Sequence, residues 1–317
     1  MHPAKSVILF TTASGAGYGL MALAMLFALL GILPADPALG LTIFAISFGL
    51  VTGGLLSSTF HLGHPERAWR AMSQWRTSWL SREGVISLAS YLPTGLFALA
   101  WVVLGDVSNP AVQALGWLGI ACCVLTIFTT SMIYASLKTI HAWCNFYVPL
   151  GYLALGGATG ACMLSAIAHL YGLGDSSIDA VALLFLIVGL GLKLIYWRHI
   201  DTTKSKSSAE SATGLGSLGK VRLLEAPHSQ ANYLMQEMGF RIARKHADKL
   251  RQIALLIGFV LPALAFVLGL IFPGGFFLIW LAPLAALMAL VGAMVERWLF
   301  FAEAKHTVML YYGAAAA

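Results

Sequence analysis

Eight long apolar runs constrain the fold of this chain more than any other feature. A run of about 20 apolar residues spans the hydrocarbon core of a bilayer as an α-helix. Only 10% of the 317 residues are charged, and the mean hydropathy is +0.82. The predicted spans cover residues 6–31, 39–60, 84–104, 112–136, 146–170, 179–197, 251–272 and 275–299. The predicted fold is therefore all-α, a polytopic membrane protein that forms one integral membrane domain over residues 1–317.

The placement of charge predicts the orientation of these spans. With eight spans, both termini share one side of the membrane with residues 61–83, 137–145 and 198–250. All 19 Lys and Arg residues lie on that side or at helix ends that face it. The turns on the opposite side contain acidic residues and no Lys or Arg, namely Asp36, Asp106, Asp175 and Asp179. Because cytoplasmic loops are enriched in Lys and Arg, both termini are predicted to be cytoplasmic, and the net charge of +6 indicates topology rather than nucleic-acid binding.

The longest loop, residues 198–250, is predicted to be a cytoplasmic linker followed by an amphipathic segment. Residues 202–220 are rich in Ser and Gly, which is typical of flexible linkers. A helix is predicted to begin at Ser229 and to run toward the seventh span. Its mixture of apolar and basic residues fits an interfacial helix on anionic lipid or a docking surface for a cytoplasmic partner, and the sequence leaves both open.

The segment Phe60–Val85, between the second and third spans, concentrates the charge that the rest of the chain lacks. Its ionisable residues are His61, His64, Glu66, Arg67, Arg70, Arg76, Arg82 and Glu83. Charge close to the bilayer is energetically unfavourable and is often functional, so this segment is the first candidate for chemistry.

Several kinds of redox centre are not expected within this chain. A b-type haem needs two His ligands in one pocket, and His169 lies at the opposite end of its span from His61, His64 and His141. The four cysteines contain no C-x-x-C pair, which an Fe–S cluster or a structural zinc site would favour. We therefore predict no haem, no Fe–S cluster and no metal site here.

One alternative function is that of a membrane transporter, since transporters use ionisable groups near the centre of the bilayer. Here Lys193 and Glu296 come closest, but both lie near the cytoplasmic ends of their helices, and we expect them to pair with each other. A purely structural anchor is an equal alternative to the transporter.

The interface itself suits quinone chemistry. His61 ends the second span and Glu83 begins the third, so the two side chains are expected at similar depth. Reduction of a quinone moves protons with electrons, an imidazole can exchange a proton with a quinone oxygen, and a carboxylate can relay it. Each residue also has a structural explanation: His61 as a boundary residue, Ser81 as the cap of the third span, and the arginines as topology signals.

Two motifs in this segment, FHLGHPERAWRA (60–71) and RTSWLSREG (76–84), resemble the membrane-anchor subunit of the dimethyl sulfoxide reductase family, within the polysulfide-reductase-like anchors. Further similarity lies in SMIYASLKTIHAW (131–143), in residues 223–247 and in RWLFFAEAKHTVMLYYG (297–313), so the resemblance covers most of the chain.

The resemblance implies eight helices, no haem and a quinone site, with ubiquinone or menaquinone as the cofactor. The histidine and glutamate of the family's site match His61 and Glu83 as the catalytic residues, and Ser81 and Arg82 match their neighbours by motif. With His64 and Arg67, these residues form the predicted quinone pocket.

The resemblance also implies partners and a location. An Fe–S electron-transfer subunit and a molybdopterin catalytic subunit would bind this anchor at the bacterial inner membrane, and the terminal substrate would have no site in this chain. The longer and more basic segment 198–250 is more similar to the anchors of cytoplasm-facing sulfite-oxidising complexes, which favours sulfite oxidation with quinone reduction over a dimethyl sulfoxide reductase.

Overall fold

A computed structural model describes residues 2–59, 62–203, 205, 207–225, 227–228, 230, 232–238, 246–272 and 278–314. Within this part of the chain, eight helices are long and apolar enough to cross a membrane, which confirms the predicted number of spans. They are α1 (Lys5–Leu29), α2 (Pro37–Thr59), α3 (Trp79–Leu104), α4 (Pro110–Ala135), α5 (Tyr147–Leu170), α6 (Ser176–Thr202), α7 (Ala247–Ile271) and α8 (Leu278–Ala302).

Local chemistry sets where these helices begin. Pro37 and Pro110 stand at the first position of α2 and α4, where a missing N–H is tolerated. Asp175 caps α6 by accepting a hydrogen bond from the Ser177 amide at 2.7 Å. The third span begins five residues earlier than the sequence predicted, and its cap is Ser78, whose hydroxyl accepts from the Ser81 amide. The expectation that Ser81 caps this helix is therefore wrong.

Helices α1 and α5 form the centre of the bundle. Of their most apolar windows, 78% and 83% are buried inside the protein, against 28% to 44% for the other six spans. α1 packs against α2, α4, α5 and α8, whereas α5 packs against α1, α4, α6 and α8. The remaining helices present more of their surface to the surrounding lipid.

Glycines allow α1 and α5 to approach closely. A Cβ atom on Gly160 would collide with the backbone of Gly19, and one on Gly19 would collide with the carbonyl oxygen of Gly156. Small residues four apart favour this kind of contact in membranes. The same spacing at Gly49 and Gly53 has no such role, because nothing in the described part of the chain lies within 4 Å of a Cβ built at either position.

Four of the five segments that were predicted to share one side contact each other. The His2 amide donates to the carbonyl of Glu237 at 2.6 Å, and the Thr307 amide donates to the carbonyl of Thr139 at 3.1 Å. Asn232 also donates to the Tyr312 hydroxyl at 2.9 Å. The amino terminus, the α4–α5 loop, the α6–α7 loop and the carboxyl terminus therefore meet at one end of the bundle, which we call the loop end.

The long loop is shorter than predicted because both flanking helices are longer: α6 extends to Thr202 and α7 begins at Ala247. Between them the described residues form two short helices, Ala209–Thr213 and Tyr233–Met238. The predicted helix start at Ser229 lies outside the described residues, as does the basic stretch 239–245.

Candidate functional site

A cavity of about 500 Å³ lies near the loop end, between the first four helices and the segment that joins α2 to α3. Small-molecule sites commonly have volumes in this range and mainly apolar walls. Its lining residues are Val7, Phe10, Leu55, Ser58, Thr59, Leu62, Ala68, Trp69, Ala71, Met72, Leu80, Glu83, Gly84, Ser87, Leu88, Ile133 and Tyr134. Among these described residues, Glu83 is the one acidic or basic side chain.

Glu83 lies in the wall of this cavity and is 5% exposed. It is placed there because α3 begins at Trp79, which puts Glu83 in the second turn of the helix, beside α4. The Thr130 hydroxyl on α4 lies 2.8 Å from Glu83 Oε1 and 2.9 Å from the carbonyl oxygen of Thr126. A carboxyl group next to an apolar cavity, with one hydroxyl partner, is suited to exchanging a proton with a molecule inside that cavity.

The α2–α3 segment forms the wall of the cavity at the loop end. Within this segment, a 3-10 helix over Pro65–Gln74 contains most of the residues that line the cavity. The Ser81 hydroxyl donates a hydrogen bond to the carbonyl of Ala71. Arg82 donates to the carbonyls of Trp75 and Arg76, at 3.0 and 2.6 Å. Ser81 and Arg82 therefore hold this wall segment in place from the first turn of α3.

The predicted pocket residues thus occupy different positions. Of the six, Glu83 lines the cavity, while Ser81 and Arg82 fix its wall from behind. His64 and Arg67 are exposed and both lie against Glu66, with His64 Nδ1 3.0 Å from the Glu66 carboxylate. Neither of them lines the cavity. His61 lies outside the described residues.

Several lining residues were not predicted from the sequence. Ser87 lies one helical turn beyond Glu83, and its buried hydroxyl has no hydrogen-bond partner in the described part of the chain. The sequence signal that could have identified Ser87 is its position four residues after Glu83, which places both side chains on one face of a helix. Tyr134 on α4 also lines the cavity, and Thr130, one turn earlier on α4, contacts Glu83 without lining the cavity. Nothing in the sequence says that this face of α4 meets α3.

Several apolar residues that line the cavity are also exposed. Leu80 and Leu88 are 52% and 57% exposed. Trp69, on the wall segment, is 64% exposed. The protein therefore does not fully enclose the cavity.

A second group of ionised residues is buried between α6 and α8. Glu296 accepts hydrogen bonds from Lys193 and from Arg297 Nε, and the three side chains are at most 5% exposed. The predicted pairing of Lys193 with Glu296 is confirmed. Arg297 also packs over the ring of Tyr152, 4.0 Å from its centroid.

The fold and the sequence together define the class of protein. The profile of the family described as DMSO reductase anchor subunit (DmsC) matches residues 1–313, and the chain belongs to this family. It is thus a multi-pass membrane anchor subunit of an oxidoreductase complex, and the resemblance noted from the motifs is confirmed.

Two known proteins are similar in sequence to this chain. The chain is 32% identical over 337 aligned residues to the C subunit of the sulfite dehydrogenase of Allochromatium vinosum, with all of both proteins covered. It is 28% identical over 178 aligned residues to the C subunit of the anaerobic dimethyl sulfoxide reductase of Escherichia coli K12, which covers 54% of this protein and 61% of the relative.

Proposed function

We propose that this anchor is the quinone-reactive subunit of its complex, and that it exchanges electrons between the quinone pool and a partner Fe–S subunit. The single observation that supports this most strongly is a buried carboxyl group, that of Glu83, in the wall of a mainly apolar cavity of about 500 Å³. We propose that the quinone enters this cavity from the lipid. A quinone head group is flat and mostly apolar, with two oxygens that need a hydrogen-bonding or proton-donating partner.

Glu83 and Ser87 supply such partners on the same face of α3. We propose that Glu83 exchanges a proton with one quinone oxygen and that the Ser87 hydroxyl donates a hydrogen bond to an oxygen of the bound quinone. Of the residues first proposed for the pocket, Ser81 and Arg82 take positioning roles. His61 remains a proposed second proton donor, and His64 and Arg67 remain proposed contributors at the mouth of the pocket.

Quinone reduction consumes two electrons and two protons. The proposed source of the electrons is the Fe–S subunit, which would dock on the loop end and receive them from a molybdopterin catalytic subunit. The loop end presents the wall segment, with exposed Trp69 and Trp75 and arginines close to both rings. Aromatic and Arg residues are favoured at protein interfaces, so we assign this surface to the partner.

A purified complex with its partner subunits tests the proposed role of Glu83. In Glu83→Gln, the carboxyl is replaced by an amide that cannot exchange a proton. We expect quinone turnover to fall about 100-fold or more, since a positioned acid–base group contributes at least that factor. Asp106→Asn is the control for loss of a carboxylate, because Asp106 is exposed and lies in a turn at the other end of the bundle. Unchanged turnover in Glu83→Gln would remove Glu83 from the mechanism, and a structural anchor or transporter would then be favoured.

We further propose that the complex oxidises sulfite and reduces quinone, with the loop end and both termini in the cytoplasm of a bacterial cell. The long basic α6–α7 loop and the full-length match to a sulfite dehydrogenase subunit support this substrate. The alternative is a dimethyl sulfoxide reductase that oxidises quinol. Membranes containing the complex should reduce quinone when sulfite is added. Reduction of dimethyl sulfoxide with quinol, without any sulfite oxidation, would instead establish the alternative.

The proposed orientation has its own test. Cross-linking should place the Fe–S subunit against residues 61–83 and 137–145. Cross-links from that subunit to Asp36, Asp106 or Asp175, in the turns at the other end of the bundle, would contradict the proposed docking surface.

A further inference from the structure

A second, smaller cavity lies in the centre of the bundle, between α1, α4, α5 and α8. Its volume is about 20 Å³, which is sufficient for one water molecule. Unlike the cavity at Glu83, it is lined by many hydroxyl groups and by one cation, and the residues that matter here are Thr12, Thr130, Tyr152 and Arg297.

Three buried polar atoms around this cavity lack hydrogen-bond partners within the described residues: Thr12 Oγ1, Tyr152 Oη and Arg297 Nη1. The three residues are 7%, 5% and 4% exposed, so bulk water does not satisfy these atoms. Buried polar groups in proteins are nearly always paired, and a small polar cavity with two to four such groups is the usual environment of an ordered water. The arrangement therefore fits a water held by Thr12, Tyr152 and Arg297.

Thr130 connects this cavity to Glu83. Its side chain lines the small cavity, and its hydroxyl lies between Glu83 Oε1 and the carbonyl oxygen of Thr126, at 2.8 and 2.9 Å. A hydroxyl has one hydrogen and two lone pairs. It donates to Glu83 when the carboxylate is ionised, and it can turn to the Thr126 carbonyl and accept from Glu83 when the carboxyl is protonated. A relay needs the ordered water to donate to a lone pair of this hydroxyl while the hydroxyl's own hydrogen passes to Glu83.

On its other side the small cavity reaches the buried charges. Arg297 donates through Nε to Glu296 at 2.5 Å, and Glu296 also accepts from Lys193. Lys193, Tyr152 and Arg297 line another small space, of about 10 Å³, together with Tyr147. The ring of Tyr147 lies 5.3 Å from that of His199, near the loop end of α6. Polar side chains thus continue from Glu83 through the bundle to the loop end.

We propose that this series of groups is the route by which Glu83 exchanges protons with the aqueous phase. The inference rests on the proposed quinone site and goes beyond it. Reduction of one quinone takes two electrons from the Fe–S partner and two protons from the protein, and yields one quinol. A quinone in the large cavity would separate Glu83 from water on that side. The proton that Glu83 gives up is replaced from the Thr130 hydroxyl, which takes a proton from the ordered water in turn. Lys193 releases the proton that restores the water, by way of the Tyr152 hydroxyl, and regains one from the aqueous phase at the loop end.

Two conservative variants of the complete membrane complex test this route. Thr130→Val removes the relay hydroxyl without changing the size of the side chain, and Tyr152→Phe removes one partner of the water and keeps the ring. Thr129→Val is the matched control: it is the adjacent residue and equally buried, and it lines neither cavity. Within the described residues, its hydroxyl bonds only to carbonyls of its own helix.

Turnover of a soluble quinone analogue, its solvent deuterium isotope effect and the binding of a quinone-site inhibitor are the measurements. We expect both variants to lower turnover about 10- to 100-fold and to raise the isotope effect, with unchanged inhibitor affinity. Thr130→Ser, which restores the hydroxyl, should recover most of the rate, and Thr129→Val should behave as wild type.

The outcomes separate the two proposals. Wild-type turnover and isotope effect in Thr130→Val and Tyr152→Phe, alongside an inactive Glu83→Gln, would overturn the route and leave the quinone site intact. Lost inhibitor binding in both variants, or no recovery in Thr130→Ser, would also overturn it, because these residues would then shape the pocket rather than transfer protons. Full turnover in Glu83→Gln would refute the quinone site and the route together.

Discussion

The buried charges between α6 and α8 predict a strong asymmetry between two substitutions. Among the described residues, Glu296 is the only negative charge in contact with both Lys193 and Arg297, and its side chain is 0% exposed. Glu296→Gln would therefore leave two cations buried next to each other without a counter-ion. Lys193→Met removes one cation and leaves Glu296 and Arg297 as a neutral, hydrogen-bonded pair.

The expected magnitudes follow from these charges. Removal of one partner from a buried ion pair destabilises a protein by about 3–5 kcal/mol, and Glu296→Gln deprives two cations at once, so we expect the upper part of that range. Met fills nearly the volume of Lys and has no charge to bury, and a volume-conserving exchange in a core destabilises by less than about 1.5 kcal/mol. The difference between the variants should then be about 3 kcal/mol.

Unfolding of the purified complex in mixed detergent micelles, followed by the fluorescence of the tryptophans near this cluster, measures both variants under the same conditions. Glu66→Gln, at an exposed ion pair, controls for a general effect of losing a carboxylate and should change stability by less than about 1 kcal/mol. Equal stability of Glu296→Gln and Lys193→Met would refute the reasoning, since it would mean that the cluster is not a desolvated group of charges.

Two further outcomes follow from other parts of the structure. Gly160→Leu should force α1 and α5 apart and destabilise the bundle by about 1–3 kcal/mol or more, whereas Gly49→Leu should have little effect because its Cβ would meet open space; equal unfolding midpoints for the two would contradict this. His306 Nδ1 accepts a hydrogen bond from the Val308 amide at 3.0 Å, and burial lowers the pKa of His306. Because the folded state favours the neutral ring, this contribution to stability is present above the unfolded pKa of about 6.5 and is lost as pH falls through the lower folded value. Amide exchange over residues 307–313 should therefore accelerate at low pH beyond its intrinsic pH dependence, and His306→Asn, which keeps an acceptor that does not titrate, should abolish that excess.

The sequence was sufficient for the number of spans and for the grouping of the loops at one end. Apolar length and the distribution of Lys and Arg report directly on the bilayer, and that signal does not depend on which helices touch. The contacts between helices could not be predicted in the same way. Gly49 and Gly53 have the same spacing as Gly156 and Gly160, yet only the second pair lies at a helix contact within the described residues, because spacing indicates a small-residue face without saying which neighbour meets it.

The candidate site was likewise only partly predictable from the sequence. Glu83 was accessible from the sequence because a carboxyl at the start of an apolar run is rare. Thr130 was not, since it lies 47 residues further along the chain and its hydroxyl has an ordinary role in bonding its own helix as well. The functions of Ser81 and Arg82 as supports for the wall segment depend on where the carbonyls of Ala71, Trp75 and Arg76 point, which local patterns do not encode.

The central pairing of α1 with α5 has a consequence for biogenesis. During synthesis α1 enters the membrane first, while α5, which covers much of it, is made more than a hundred residues later. Until then Thr11, Thr12 and Ser14, all buried in the finished protein, lack their final surroundings. The hydroxyls of Thr11 and Ser14 donate to carbonyls one turn back in the same helix, which makes α1 compatible with lipid during this interval. The first helix of the chain is therefore suited to remain in the bilayer, with only its early neighbours beside it, until α5 is made.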